Sequence, residues 1–280
     1  MLTMLCVIAN LFASMAPSHP TSATDFDAYT SYCQKAADDP ETFAHFKASN
    51  VYQIVTEHLS YDQGKQHLDL ILEQSPEFLS RLESFRTNDS IGDPPTFYYS
   101  QTGKISPTTL HYVKIASDLS LLFGDLNGAS IVEIGGGYGG QCKIISDLYD
   151  FKKYTIVDLP GPLALTKKYL AAQGVTNVEF KTFDEVISNE TFDLLISNYS
   201  YTECSAEMQE KYDREILSHS SRGYMISSEQ ERRKVNTFNR LRRYKIDFTV
   251  LLERPQTANG SLPNYTIVWG AKSGASSKLK

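Results

Sequence analysis

The stretch SIVEIGGGYGGQCKII, Ser130 to Ile145, joins an apolar run to a helical one through a turn that is nearly all glycine. Five of the six residues from 135 to 140 are glycine. Glycine allows a tight turn and lets a ligand lie against the backbone, so strand, glycine turn and helix in succession point to a nucleotide-like ligand. The spacing is ambiguous. Gly135, Gly137 and Gly140 satisfy G-x-G-x-x-G, whereas Glu133, Gly135, Gly137 and Gly139 form a second pattern, E-x-G-x-G-x-G. Asp158 in TIVDLP, followed by Leu159, closes the next apolar run. A carboxylate there can accept two hydrogen bonds from a ribose diol. A later loop, SNYSYTE, offers Asn198, Tyr199, Tyr201 and Glu203.

These residues need elements to hold them. Apolar runs read as strands at 130–134, 154–158, 177–181, 192–197, 223–227, 247–253 and 265–271. Helical stretches separate the first five and precede the sixth. Such alternation predicts parallel β-α units and a sheet covered on both faces. Only RPQTANGSLPN joins the last two strands, so they are expected to be antiparallel neighbours. That outline is not the six-stranded dinucleotide-binding sheet.

Upstream, residues 24–86 carry apolar residues three and four apart, with Val55, Leu59, Leu68, Ile71, Leu72, Phe78, Leu79 and Leu82 expected in a common core. Thr87 to Thr109 reads as loop, with Tyr98 and Tyr99 as its unusual members. A helix bearing His111 and ending near Gly124 precedes the glycine stretch. The last residues, 273–280, read as a disordered tail.

A chain of 280 residues with 41% hydrophobic and 21% charged residues can bury a sizeable core. A net charge of -6 argues against broad nucleic-acid binding. Four cysteines, with no C-x-x-C pair and no zinc spacing, read as reduced, buried thiols. Residues 1–23 hold an apolar core with no preceding Lys or Arg. They read either as a signal peptide, which leaves export open, or as a mobile hydrophobic N-terminus or upstream start. Otherwise a cytoplasmic location is expected, with no stable membrane insertion.

The blocks NDSIGDPPTFYYSQTGKISPTTLHYVKIASDL, IVEIGGGYGGQCKII, YTIVDLPGPLALTKKYL and FDLLISNYSYTECSAEMQEKY resemble, in order, a family of sugar O-methyltransferases that use S-adenosylmethionine. The resemblance covers roughly residues 85–270. It implies an α/β fold: a seven-stranded Rossmann-like methyltransferase sheet with an antiparallel last strand, plus an N-terminal helical cap. The expected division is a helical cap and substrate loop over 24–104 and a methyltransferase domain over 105–272. It also implies S-adenosyl-L-methionine as cofactor and a sugar or glycoconjugate as acceptor. Glu133, Gly135, Gly137, Tyr138, Gly139, Asp158, Leu159 and Asn198 would then line the cofactor, with Phe183 and Asp184 at its adenine.

Methyl transfer to a hydroxyl needs in-line positioning and help in removing a proton. Glu203 is the first candidate base and His111 the second. Tyr98, Tyr99, Tyr199 and Tyr201 are candidates to touch the acceptor. No carboxylate or histidine set marks a metal site. The basic run Arg232, Arg233, Lys234, Arg240, Arg242, Arg243 and Lys245 reads as a solvated helix face or as a catcher of an anionic acceptor. Two alternatives stay open: methylation of a phenol-type small molecule, and a cofactor-binding module without catalysis.

Overall fold

A computed structural model describes residues 23–186, 190–227, 231–257 and 262–279. The apolar N-terminal segment, Cys6 included, lies outside these residues. Among the described residues five α-helices come first: α1 Ala23–Asp38, α2 Pro40–Ala44, α3 Asn50–Gln53, α4 Tyr61–Gln74 and α5 Leu82–Arg86. A hairpin follows, β1 Phe97–Tyr99 and β2 Gly103–Ile105, and then α6 Pro107–Phe123. The alternating part runs β3 Ser130–Ile134, α7 Gly140–Leu148, β4 Lys153–Val157, α8 Pro160–Ala172, β5 Val178–Lys181, β6 Leu194–Asn198, α9 Ser200–Glu203, α10 Ala206–Glu215, β7 Gly223–Ser227, α11 Glu231–Arg243, β8 Phe248–Leu252 and β9 Tyr265–Trp269.

Seven strands form one sheet in the order β5-β4-β3-β6-β7-β9-β8. The first five pair in parallel, and β9 runs antiparallel between β7 and β8. The order reverses between β4 and β6, on either side of β3, so a crevice opens where β3 and β6 end. This is the seven-stranded α/β sheet with antiparallel last strands that the sequence predicts. The central strands β3, β6 and β7 are buried on both faces, which is why they read as continuous apolar runs rather than as alternation.

Side chains alternate between the faces. Ile131, Tyr154, Ile156, Leu194, Ile196 and Tyr224 meet α6, α7 and α8 in one core, which also takes in Tyr29, Cys33, Phe46 and Tyr52 from the N-terminal helices. Val132, Ile134, Leu195, Met225 and Trp269 form the other core with Tyr212 of α10 and Leu241 of α11. The long α6 is capped by Ser106, whose Oγ accepts from the Thr109 N–H at 3.0 Å, with Pro107 in its first turn. It stops at Gly124, whose φ of +80° ends the helix.

Three expectations need correction. Among the described residues, only a short turn, Phe183–Glu185, stands between β5 and β6 where a helix was expected. The segment 87–109 is more ordered than a loop, because Phe97–Tyr99 pairs with Gly103–Ile105. The tail is also ordered over 275–279. Ala275 and Leu279 are buried in the first core, and the Lys272 N–H bonds the Leu122 carbonyl at 2.9 Å. The small residues of the tail suit it to lie across the end of α6.

Helix α1 crosses α8 where α8 begins. A Cβ added to Gly161 would stand 2.2 Å from the Thr30 carbonyl oxygen, which is main chain and cannot swing aside. Gly161→Ala should therefore destabilise the protein by about 1–3 kcal/mol. Urea denaturation measures this, and an unchanged midpoint would refute the crossing.

Candidate active site at the carboxyl edge of the sheet

The glycine turn bends between β3 and α7. Gly135 and Gly137 have φ of +78° and +57°, where a side chain would strain the backbone. A Cβ on Gly135 would stand 2.2 Å from Ser200, so the loop after β6 lies directly on the turn. A Cβ on Gly137 would meet only the Thr56 methyl, at 3.7 Å. The open face of the turn is therefore at Gly137. Gly139 is different from expectation: it packs against Leu170 and Thr166 of α8, and Gly140 packs against Tyr112 of α6.

Asp158 follows β4 and faces the same turn. Its Oδ2 accepts from the Gly137 N–H at 3.3 Å and its Oδ1 from the Leu159 N–H at 2.7 Å. Burial pushes its carboxyl up to about 6, against the hydrogen bonds from Leu159, Gly137 and Gly136. Leu159 is exposed beside it.

Glu133 and Tyr138 do not face the open side of the turn. Both point into the first core, by the alternation of the strand and the direction of the turn. Glu133 is 1% exposed and accepts from the Tyr154 hydroxyl at 2.8 Å. Burial pushes its carboxyl up to about 8. Tyr138 is fully buried. Its hydroxyl accepts from Asn88 Nδ2 at 2.9 Å, and Lys47 Nζ lies 4.0 Å from its ring centre. They support the turn from behind.

The fourth-strand loop carries the polar groups. Asn198 ends β6 beside Ile226 of β7. Its Oδ1 is buried without a hydrogen-bond partner, while its Nδ2 reaches Gln141 at 3.5 Å. Ser227, the next residue of β7, has a buried Oγ that also lacks a partner. Tyr199 holds φ of +69°, a strained value for a non-glycine residue. Its hydroxyl donates to Glu253 and pairs with Thr257 at 2.9 Å. Ser200, Ser227, Gln141 and Glu253 were missed in sequence. Ser227 was findable, because it ends the fifth strand as Asn198 ends the fourth.

Tyr201 is corrected. It is 1% exposed, lies in the core on the other face and donates its hydroxyl to Asp213, so it does not reach an acceptor. Glu203 is exposed at the end of α9. His111 is buried and pairs with His67, Nδ1 to Nε2, at 3.0 Å. His67 Nδ1 bonds the Gln63 carbonyl at 2.7 Å, so that nitrogen carries the proton and His67 Nε2 accepts from His111 Nδ1–H. Burial pushes the His111 imidazole down to about 3. It stays neutral at pH 7 and is a poor proton acceptor, which removes it as the second candidate base.

Phe183 and Asp184 stand just past β5. The Phe183 ring meets Tyr212 edge-on at 5.3 Å, and Asp184 is exposed. Tyr98 is 72% exposed on the hairpin. Tyr99 is corrected: it stacks on Tyr61 at 4.9 Å within the N-terminal core and is 2% exposed. Two members of the basic run, Arg240 and Arg243, answer acids, and Arg242 lies over the Phe248 ring. Arg240 bonds Glu210 and Asp213 at 2.8 and 2.6 Å, and Arg243 bonds Glu210 at 2.8 Å.

Among the described residues no group of three or more His, Cys, Asp or Glu is arranged to hold a metal ion, and no helix is long and apolar enough to cross a membrane. No family model matches the chain, and no curated protein matches its sequence. Solved structures similar to it include the methyltransferase domain of bacterial CtHen1, at 9% identity over 57% of this chain and 96% of that one, TM-score 0.46. Another is precorrin-6y C5,15-methyltransferase from Geobacter metallireducens, at 17% identity over 56% and 86%, TM-score 0.43. A third is a SAM-dependent methyltransferase from Aquifex aeolicus, at 15% identity over 55% and 92%, TM-score 0.41.

The raised carboxyl of Asp158 has a stability consequence. The folded form keeps the proton up to about pH 6, whereas the unfolded chain releases it near 3.8. The folded state binds more protons in that interval, so its stability falls as pH rises through it. Asp158→Asn should flatten this fall in the ligand-free protein. Denaturation at about pH 4, 5 and 6 checks it, and an equal slope in both proteins would contradict the burial of the carboxyl.

Proposed function

We propose that this chain is an S-adenosylmethionine-dependent methyltransferase that methylates a hydroxyl of a sugar or glycoconjugate. The observation that carries the reading is the glycine turn, open at Gly137 and flanked by Asp158, on a sheet whose antiparallel β9 is inserted between β7 and β8. The sheet order separates it from a six-stranded dinucleotide site, which would use the same turn and the same acid.

The residues present fit the cofactor. Gly135 and Gly137 keep the backbone bare, and Asp158 offers carboxylate oxygens at the end of β4 for the ribose diol. Phe183 and Asp184 lie past the neighbouring strand, where the adenine would rest. When bound, S-adenosylmethionine supplies an electrophilic methyl group. The chain's task is then to aim an acceptor oxygen at it and exclude water.

Asn198 Oδ1 and Ser227 Oγ are buried oxygens without partners on adjacent strand ends. A buried acceptor lacking a donor costs about 1–3 kcal/mol, and a hydroxyl-rich substrate removes that cost by donating to both. Tyr199, fixed by Glu253 and Thr257, offers a ring edge on which a sugar can pack. Glu203, exposed on the same loop, is the carboxylate that takes the hydroxyl proton. Residues 24–104 act as the cap over this edge.

Calorimetry with S-adenosylmethionine and with NAD tests the cofactor directly. The first should bind and the second should not; binding of NAD alone would sink the proposal. Asp158→Ala should weaken S-adenosylmethionine about tenfold or more, the worth of hydrogen bonds to a charged group.

A further inference from the structure

The segment between α3 and α4 crosses the open face of the glycine turn. Among the described residues Thr56 alone supplies an atom within 4 Å of the Cβ position of Gly137, at 3.7 Å, and its carbonyl is held by Thr108 Oγ1 at 3.4 Å. The next residue, Glu57, is a carboxylate that is 5% exposed, and its Oε1 has no hydrogen-bond partner. The hydroxyls of Thr108 and Tyr138 hydrogen-bond the carboxyl and hold its pKa down, leaving Oε1 without a donor, so the carboxyl sits between the start of α6 and the glycine turn. A buried carboxylate oxygen without a donor is costly to keep.

The other carboxylates around the turn accept hydrogen bonds of their own. Glu133 accepts from Tyr154, Asp158 accepts from Gly137 and Leu159, and both oxygens of Asp89 accept from Ser106, with Thr109 as a third donor. Lys47 is buried nearby and favours the charged form of Glu57, but its Nζ is committed to the Asn88 carbonyl at 2.7 Å and to the Tyr138 ring. Glu57 Oε1 is a buried carboxylate oxygen without a donor, one residue along the chain from the Thr56 methyl that lies against Gly137.

We infer that Glu57 Oε1 accepts a hydrogen bond from the α-ammonium group of the cofactor's methionine arm. The inference rests on the S-adenosylmethionine reading above. It explains why one buried oxygen of Glu57 is kept without a donor next to Thr56. Burial raises the Glu57 carboxyl to about 7, and an incoming ammonium would restore its charge.

Calorimetry with S-adenosylhomocysteine and with its deaminated analogue tests this without an acceptor. Wild-type protein should bind the amine-bearing form about tenfold to a hundredfold more tightly. Glu57→Gln should lose most of that preference while binding the deaminated analogue as wild type does. Retention of the full ratio in Glu57→Gln overturns the assignment, as does an equal loss for both ligands. Should the variant not fold, wild type alone decides, because equal affinity for the two ligands would overturn it. Failure of wild type to bind either ligand would instead refute the cofactor reading itself.

Discussion

The site depends on one main-chain constraint: the chain must turn sharply at Gly135–Gly139 while staying hydrogen-bonded to the end of β4. The Gly135 N–H bonds the Val157 carbonyl at 2.9 Å, and the Gly137 N–H reaches Asp158 at 3.3 Å. The first contact continues the strand pairing into the turn, and the second ties the turn to the acid. Three φ values between +57° and +92° within five residues make glycine obligatory there. Were the turn to relax, α7 would move off the sheet, and Ser200 would lose its seat on Gly135.

The turn is braced from the N-terminal region. Asn88 donates to the Tyr138 hydroxyl at 2.9 Å and to Thr109 at 2.7 Å, and its side-chain oxygen accepts from Tyr169 at 2.7 Å. One buried amide therefore joins the glycine turn, α6 and α8. Satisfied networks of this kind rigidify a core, and partly satisfied ones destabilise it. Around the brace stand carboxyls that burial pushes upward: Asp158, Glu57 and Glu133. Each opposes stability of the ligand-free fold at neutral pH, in keeping with the common concentration of shifted groups at functional sites.

Much of this was legible in sequence. The seven strands fell within a residue or two of their places, because buried parallel strands are short apolar runs set by local chemistry. The glycine turn and Asp158 were legible for the same reason. Side-chain direction was not. Tyr199 and Tyr201 are two residues apart, yet Tyr199 leans on Glu253 and Tyr201 on Asp213, since the positive φ at Tyr199 and the short α9 re-aim the chain. Tyr98 and Tyr99 parted in the same way, by strand alternation. Glu57 had no signal, because its place beside Tyr138 depends on a contact across some eighty positions of chain.

That long-range contact bears on what the N-terminal helices are. Their residues share a continuous core with the sheet, from Tyr29 and Phe46 to Ile156 and Leu194. Lys47 is fully buried against Tyr138 and Tyr169, and its ammonium has no water to return to. Without residues before α6, the Tyr138 and Tyr169 hydroxyls would lose Asn88 and the turn would lose the backing of their rings. The glycine turn and the helical region thus form one folding unit. The boundary expected near residue 104 does not divide the buried core.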